Sequence, residues 1–395
     1  MRTSLRRGAC PSLSAPMQTG DGLLARLNPA DGALTGYQLA GVADAAGEFG
    51  NGVLEISARG NLQIRGLTHA SAAALAGAVA GLGIAVHPGI EVRTGALAGL
   101  DAGETADPRP LAEIIRQRAL PLASQLAPKV SVVVDGGGAL PLDELIADVR
   151  LRAISAAEWL VEAGGTVLGK GGPDGAIDAA MTILERLTRT GREARGRDLE
   201  EVTLHAIAAT LHPAPRTAHV RTGPPVGRFA LRDGSTARGF ALAFGQIDAP
   251  ALAALARSVD SETAFRLAPG RGLLALNLPE ADEKTLVEAA ARLGLVTDAC
   301  DPRLRIVACA GAPACASGHL ATKAIAAALA ADMPTGDGII HLSGCAKQCA
   351  RPARASATLI GSLQGYEIET KDDAMRKRLA RIVDNERMTA RRRSA

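Results

Sequence analysis

Four cysteines lie in two close pairs in the last quarter of the chain. Cys309 and Cys315 have the spacing C-x5-C, and Cys345 and Cys349 have the spacing C-x3-C. The whole chain contains only 6 cysteines, so most of its thiols are gathered here. Four cysteine thiolates are the usual ligand set of a [4Fe-4S] cluster. The pattern therefore predicts an iron–sulfur site and a redox function.

Two other interpretations of the quartet remain open. Structural zinc sites usually pair cysteines about two to four residues apart, so C-x5-C fits zinc poorly. Four unrelated buried thiols are the other alternative. A β-type run ends at Ala308, directly before Cys309, and a second run, Ile339–Leu342, ends shortly before Cys345. We expect both cysteines to follow strand ends, and Cys315 to precede a helix that Ser317 caps.

The surrounding elements form a pattern that occurs twice. The order strand, helix, strand, strand, helix first covers residues 22–82 and returns over residues 239–294. In the first copy the strands are predicted at 22–27, 52–56 and 61–65, and the helices at 34–48 and 70–82. In the second copy the strands are predicted at 239–244 and as a pair over 265–278, and the helices at 249–258 and 283–294. Two copies in the same order indicate an internal duplication.

A different kind of segment follows each copy. After the first copy we expect helices at 111–126 and 176–190, and strands at 130–134, 146–153 and 166–168. After the second copy we expect strands at 304–308, 338–342 and 358–361, and a helix at 317–331. The whole pattern predicts an α+β fold with pseudo-two-fold symmetry.

Length and composition exclude several classes of protein. A chain of 395 residues is too long for one hydrophobic core, and with 2% aromatic residues its cores must be built from Ala, Leu, Val and Ile. A net charge of +3 does not favour a nucleic-acid partner, and the basic run 391–393 is a solvated tail. No uncharged apolar run approaches the ~18 residues of a membrane span. The N-terminal residues lack the apolar stretch of a secretory signal, so we expect free thiols and a cytoplasmic location.

With these residues in hand, the chain resembles the nitrite and sulfite reductase family. The two cysteine pairs have that family's spacing, and the duplicated halves are similar to its architecture over nearly the whole chain. Within the family, three stretches look most like the precorrin-3B synthases of aerobic cobalamin biosynthesis. These stretches are Arg7–Pro11 with Pro16–Leu24, Ser57–Gly66, and Ala139–Asp143.

The resemblance implies a division of the chain into four parts. Residues 1–75 and 223–298 would be two ferredoxin-like halves. Residues 76–222 would form the first sirohaem- or cluster-type α/β segment, without cysteine ligands, and residues 299–395 the iron–sulfur segment. The expected architecture is thus a nitrite/sulfite reductase-like fold.

The resemblance also implies a set of basic residues that bind a tetrapyrrole. In the reductases, basic residues at positions resembling Arg59, Arg93 and Lys129 bind the carboxylates of sirohaem. We add Arg65, because six residues along a regular strand would place it on the same face as Arg59. Where those enzymes commonly have a further lysine, this chain has Ser131. Precorrin-3A is itself a tetrapyrrole with many carboxylates, and the planar guanidinium group binds carboxylates through two hydrogen bonds.

The resemblance implies a monooxygenase reaction. Precorrin-3A would be hydroxylated at C20 with O2, and the ring A acetate would close a γ-lactone. The implied cofactors are the [4Fe-4S] cluster, bound by the cysteine quartet, and a mononuclear non-haem iron that handles O2. No 2-His-1-carboxylate motif identifies ligands for that iron. The alternative within the family is a sirohaem-dependent assimilatory sulfite or nitrite reductase, with Cys349 shared between cluster and haem. The alternative from another class is a non-catalytic electron-transfer or iron–sulfur scaffold protein.

The remaining motifs are predicted to be structural. Asp135–Gly138 and the glycines of 169–175 fit neither the Rossmann nor the P-loop pattern. Because no nicotinamide or flavin fold is visible, we expect an external NAD(P)H-linked reductase or ferredoxin as electron donor. Cys10, Cys300 and the histidines 205, 212 and 219 are interpreted as structural or surface residues, whereas His319 and His341 lie close in sequence to the cysteine pairs.

Overall fold

Four β-sheets form the framework of the chain. The computed structural model describes residues 11–214, 223–333, 336, 338–349, 351–352 and 354–393, so the interpretations of Cys10 and His219 lie outside the described residues. The strands of the described part are β1 (Met17–Thr19), β2 (Gly22–Leu27), β3 (Ala33–Thr35), β4 (Val53–Ile56), β5 (Leu62–Leu67), β6 (Glu91–Arg93), β7 (Ser131–Asp135), β8 (Val149–Ala153), β9 (Trp159–Ala163), β10 (Thr166–Gly171), β11 (Gly227–Ala230), β12 (Thr236–Ala241), β13 (Gln246–Asp248), β14 (Ala264–Ala268), β15 (Gly272–Leu276), β16 (Ile306–Ala308), β17 (Ile339–Ser343), β18 (Ala355–Ser362) and β19 (Gly365–Thr370). The helices there are α1 (Gly36–Phe49), α2 (His69–Gly81), α3 (Arg109–Ala119), α4 (Pro173–Thr190), α5 (Glu201–Ala208), α6 (Ala249–Ala256), α7 (Glu280–Arg292), α8 (Thr322–Ala331) and α9 (Asp373–Arg393).

The two copies of the repeat form two sheets with the same strand order. The first half-sheet has the order β1-β2-β5-β4-β13, and the second half-sheet has the order β11-β12-β15-β14-β3. Each half therefore supplies the last strand of the other half's sheet. Ile247 of β13 lies opposite Leu54 of β4, and Leu34 of β3 lies opposite Phe265 of β14. The internal duplication is confirmed, and the two halves are interlocked by these exchanged edge strands.

Both half-sheets share one hydrophobic core with the helices that follow their strands. Helix α1 begins with a capping box, in which the Thr35 hydroxyl accepts from Gln38 N and the Gln38 side chain accepts from Thr35 N. The helix packs against α6 of the other half, so the core is continuous across the pseudo-two-fold axis. Aliphatic side chains dominate this core as expected, but Phe240 and Phe265 are also fully buried in it.

The other two sheets also match each other in topology. In the first α/β sheet, ordered β10-β9-β8-β7-β6, strands β6, β7 and β8 are parallel and β9 is antiparallel to β8. In the cysteine sheet, ordered β16-β17-β18-β19, strands β16, β17 and β18 are parallel and β19 is antiparallel. Helices α3 and α4 cover the first α/β sheet, and α8 and α9 cover the cysteine sheet.

The division into four parts remains a prediction, and two structural features bear on how it is drawn. Helix α2 (His69–Gly81) runs across the proposed boundary between residues 75 and 76. The exchanged strands β3 and β13 each lie in the sheet of the opposite half. Among the described residues, no helix is both long enough and apolar enough to cross a lipid bilayer.

Candidate functional site

Cys309 and Cys345 follow two adjacent parallel strands. Ala308 at the end of β16 lies opposite Leu342 of β17, and Cys309 N donates to Leu342 O at 3.0 Å. Parallel strands end at the same edge of a sheet, so the residues that follow β16 and β17 lie next to each other. The predicted placement at strand ends therefore matches the structure. In the first α/β sheet, the residues after β7 are the glycines of Asp135–Gly138, so the pseudo-symmetric position has no thiol.

The two cysteine loops pack directly against each other. Gly344 N donates to Cys309 Sγ at 3.1 Å, and His319 N donates to Gly344 O at 2.7 Å. Gly311 has φ +64°, and a Cβ at Gly344 would lie only 3.1 Å from Gly311 Cα and 3.3 Å from Gly318 Cα. Glycine is therefore required where the backbones meet. A backbone amide directed at sulfur stabilises a thiolate.

The loop that bears Cys315 is formed by turns. Cys315 N donates to Gly311 O at 2.7 Å, and Gly318 N donates to Cys315 O at 2.8 Å. The prediction of a helix beginning at Ser317 was wrong, because α8 begins at Thr322 and its N-cap residue, Ala321, makes no side-chain cap. The Ser317 hydroxyl instead accepts a hydrogen bond from Lys347 Nζ at 2.9 Å. This contact is a further link between the two cysteine loops.

Cys349 lies in a turn, and its carbonyl oxygen faces the buried side chain of His341. His341 Nε2 is 3.1 Å from Cys349 O. Burial lowers the pKa of His341, and the hydrogen bond to Cys349 O only partly opposes that effect, so its imidazole is neutral at pH 7. His319, by contrast, is exposed in the turn after Cys315. His205 and His212 lie in and just after α5, and His212 pairs with Lys170 of β10 through backbone hydrogen bonds.

The donor set fits an iron–sulfur cluster. Cys345 is buried, and the other three thiols of the quartet are half-buried. Among the described residues, no three His, Cys, Asp or Glu side chains are grouped as ligands of a single metal ion. A cluster places a different demand on the protein, because each of its four irons takes one thiolate. Cys300 is exposed and lies outside these two loops.

Arg59 and Arg93 meet at one carboxylate. Arg59 NH2 lies 3.4 Å from Glu91 Oε2, and Arg93 NH2 lies 2.8 Å from Glu91 Oε1. Arg93 also bonds to the Asn61 side chain, and Arg59 donates to Ile146 O at 2.8 Å. Burial raises the pKa of Glu91, but the charges of Arg93 and Arg59 outweigh it and hold the pKa below its usual value. Glu91 is therefore ionised at neutral pH and balances part of the cationic charge.

One more residue of the predicted binding set, Lys129, precedes β7 and lies close in sequence to Ser131, which contacts this cluster. Ser131, at the position where the resemblance implies a lysine in the reductases, begins β7, and Arg59 NH2 is 3.4 Å from its hydroxyl oxygen. Lys129 is half-buried in the turn two residues earlier. Arg26 of β2, which the sequence analysis missed, contributes its positive charge to both Glu91 and Arg93. The presence of a charged residue within the otherwise hydrophobic strand β2 was the sequence signal that could have identified Arg26.

Arg65 is not on the same face as Arg59. Residues 57–60 form a turn, closed by the bond from Gly60 N to Ser57 O at 2.9 Å, and β5 begins only at Leu62. The prediction that a regular strand orients Arg59 and Arg65 alike was therefore wrong. Arg65 instead binds Asp21 and Glu55 at 2.8 and 3.3 Å.

Arg271 and Lys323 are further half-buried cations that the sequence analysis missed. Arg271, with φ 67°, lies in the turn between β14 and β15, the counterpart of the turn that holds Arg59. The two turns touch, because Gly270 N donates to Ala58 O at 3.0 Å. Burial lowers the pKa of Arg271, and burial also lowers that of Lys323 to about 8. Lys323 Nζ donates to Phe244 O at 2.5 Å and is 3.3 Å from Ala308 O, next to Cys309.

Comparison with known proteins gives three matches. The family model of the nitrite/sulfite reductase ferredoxin-like half domain matches residues 15–81. A precorrin-3B synthase from a Sinorhizobium species is 42% identical over 380 residues, which cover 92% of this chain and 82% of that protein. Among solved structures, the NirA protein of Mycobacterium tuberculosis superposes with a TM-score of 0.74 at 20% identity, covering 88% of this chain and 73% of that one. The predicted nitrite/sulfite reductase-like α+β fold is thereby confirmed.

Proposed function

Since the chain belongs to the precorrin-3B synthase family, we propose that it hydroxylates precorrin-3A at C20 with O2 and closes the γ-lactone from the ring A acetate. The observation that supports this proposal most strongly is the 42% identity over 92% of the chain. The packed cysteine loops and the arginine cluster agree with it, because the reaction needs both electrons and a carboxylate-binding surface. A cytoplasmic location remains a prediction.

We infer that Cys309, Cys315, Cys345 and Cys349 bind a [4Fe-4S] cluster. When bound, such a cluster supplies single electrons to the reaction. The chain's own contribution is to hold the thiolates in two loops that already contact each other, with Gly344 N directed at Cys309 Sγ. The positive charge of Lys323 beside Cys309 offsets part of the thiolate charge. The family resemblance further implies a mononuclear non-haem iron, and an external NAD(P)H-linked reductase or ferredoxin as electron donor.

The substrate carboxylates are proposed to bind Arg59, Arg93 and Lys129. Arg59 is 31% exposed even though Glu91 and Ser131 surround it, so a ligand can reach its guanidinium group. Glu91 balances part of the charge of Arg59 and Arg93 while no substrate is bound, and an incoming carboxylate would compete with it for them. Hydrogen bonds between charged groups contribute about 1.5–3 kcal/mol each, enough to fix which edge of the nearly symmetric macrocycle faces the reactive centre.

Product analysis tests the reaction directly. Anaerobically purified protein is incubated with precorrin-3A, a chemical reductant and 18O2, and the product mass is measured. The proposal requires the gain of one labelled oxygen atom, and an unchanged substrate mass in the presence of a loaded cluster would refute it. The visible spectrum separates the sirohaem-dependent alternative, because sirohaem gives a strong Soret band whereas a cluster alone gives a broad shoulder.

Binding measurements test the carboxylate cluster separately. Arg59→Gln combined with Arg93→Gln should weaken precorrin-3A binding by at least about 100-fold, since two charged hydrogen-bonding groups are lost. Arg118→Gln is the matched control, because it removes an arginine whose ion pair, with Asp178, is exposed and does not involve Glu91. Equal affinity in the double variant and the control would refute the assignment.

A further inference from the structure

We propose that Arg65 is a positioning residue that fastens the Cys315 loop to the first half of the molecule. This inference rests on the proposed cluster, because it assigns Arg65 to the cysteine ligands and not to the substrate carboxylates. Arg65 lies in β5, far from the cysteines in sequence.

Each nitrogen of the Arg65 guanidinium group binds a protein acceptor. Its Nε and NH2 bind the two carboxylate oxygens of Asp21 at 2.9 and 2.8 Å, and its NH1 binds Glu55 Oε2 at 3.3 Å. The same NH2 donates to Ala314 O at 2.6 Å. The side chain is only 3% exposed, so a substrate carboxylate would have to displace two carboxylates that are already in place.

The partner carbonyl belongs to the residue directly before Cys315. Ala314 O accepts from Arg65 and also from Gly20 N, at 3.2 Å. Gly20 and Asp21 form the turn between β1 and β2, and Asp21 orients Arg65 through its two hydrogen bonds. The turn and Arg65 therefore hold one peptide group of the cysteine loop between them.

The cysteine loop depends on such anchors because it has little regular structure of its own. Between the end of β16 at Ala308 and the start of α8 at Thr322, the chain forms only turns. A ligand on a turn keeps its position only where tertiary contacts fix the backbone, and misplacing a ligand weakens metal binding. Arg65 supplies a charged hydrogen bond at that point, and its half-buried acidic partners keep the guanidinium group in one orientation.

Hydrogen exchange in the metal-free protein tests the anchor independently of the cluster. Arg65→Gln should raise the exchange of the Cys315 and Gly318 amides by about tenfold or more, as expected for the loss of one charged hydrogen bond. Arg65→Lys keeps the charge and a donor and should give an intermediate value. Arg118→Gln, which removes an exposed ion pair, should leave both amides unchanged. Amides of β8 and β9 report whether each variant is folded.

A second measurement follows the cluster itself. In reconstituted protein, Arg65→Gln should release iron to a chelator about tenfold faster than wild type and alter the electron paramagnetic resonance spectrum of the reduced cluster, with partial rescue in Arg65→Lys. Arg59→Gln should weaken tetrapyrrole binding and leave iron release unchanged.

The outcomes separate the two proposals. If Arg65→Gln exchanges like Arg118→Gln and loses tetrapyrrole affinity like Arg59→Gln, the positioning role is overturned. If wild-type protein takes up no iron and sulfide, the cluster proposal fails, while the exchange measurement still decides whether Arg65 anchors the loop. Faster exchange together with faster iron release supports the inference.

Discussion

Replacing Gly20 by alanine should push the Cys315 loop away from the first half-sheet. A Cβ on Gly20 would lie 2.5 Å from Pro313 O, 2.6 Å from Ala316 N and 2.8 Å from Cys315 C. All three are backbone atoms, so no side-chain rotation can relieve the contacts. One methyl group on the β1–β2 turn therefore acts directly on the loop that bears a proposed cluster ligand.

The size of the effect follows from these distances. Ordinary contact begins near 3.4 Å, so the Cβ at 2.5 Å from Pro313 O requires a displacement of about 0.9 Å. That displacement would lengthen the bond from Gly20 N to Ala314 O, now 3.2 Å, to about 4 Å and break it. Overpacking costs about 1–3 kcal/mol and the lost hydrogen bond about 1 kcal/mol, so we expect a total of about 2–4 kcal/mol.

Two assays measure the consequence. Denaturant unfolding of the metal-free protein gives the free energy difference, and iron and sulfide per chain give the occupancy of the site after anaerobic reconstitution. Gly77→Ala is the matched control, because no atom lies within 4 Å of its added Cβ and it sits inside α2. That control should be stabilised by about 0.5–1 kcal/mol and bind iron normally.

Two results would contradict the proposed role of the Gly20 turn in seating the Cys315 loop. If Gly20→Ala unfolds at the same denaturant concentration as wild type and binds the same amount of iron, the turn does not seat the Cys315 loop. A loss of stability without a loss of iron would mean that the turn supports the half-sheet alone.

Three further outcomes are expected. Burial raises the pKa of Glu104, whose side chain is 3% exposed, from 4.5 to about 7. The folded state therefore binds the proton more tightly than the unfolded state, and the stability of the protein falls as the pH rises between these values. Glu104→Gln should remove up to about 3 kcal/mol of this loss, so in denaturant titrations the variant should be more stable than wild type at pH 8 but not at pH 4.5. Thr35→Ala deletes the capping box of α1 and should lower the free energy of unfolding by about 1 kcal/mol, with an unchanged value pointing to a frayed helix start. Cys345→Ser should abolish or strongly deplete bound iron, whereas Cys300→Ser should retain it, and equal iron in the two would remove Cys345 from the ligand set.

The sequence alone predicted much of the framework because its signals are local. Strand alternation and helical periodicity located most elements of both half-sheets, and their repeated order revealed the duplication. The first cysteine of each pair was placed at a strand end for the same reason, since the β-type runs before Cys309 and Cys345 are continuous in sequence. Spacing and residue type also predict the kind of metal site, because ligand chemistry depends on the side chains themselves.

Only the tertiary structure decided how distant parts of the chain combine. The short strands β3 and β13 have no distinctive pattern, and each becomes a strand only by pairing with the opposite half. The sequence analysis assigned Arg59 and Arg65 to one face because the run that contains them resembles a single strand. In the structure a turn at 57–60 interrupts that run. The partners of Arg65, at positions 21, 55 and 314, are brought together by strand pairing and by the docking of the cysteine loop. Residue types set which chemistry is available, and long-range packing sets which of the basic side chains can reach a ligand.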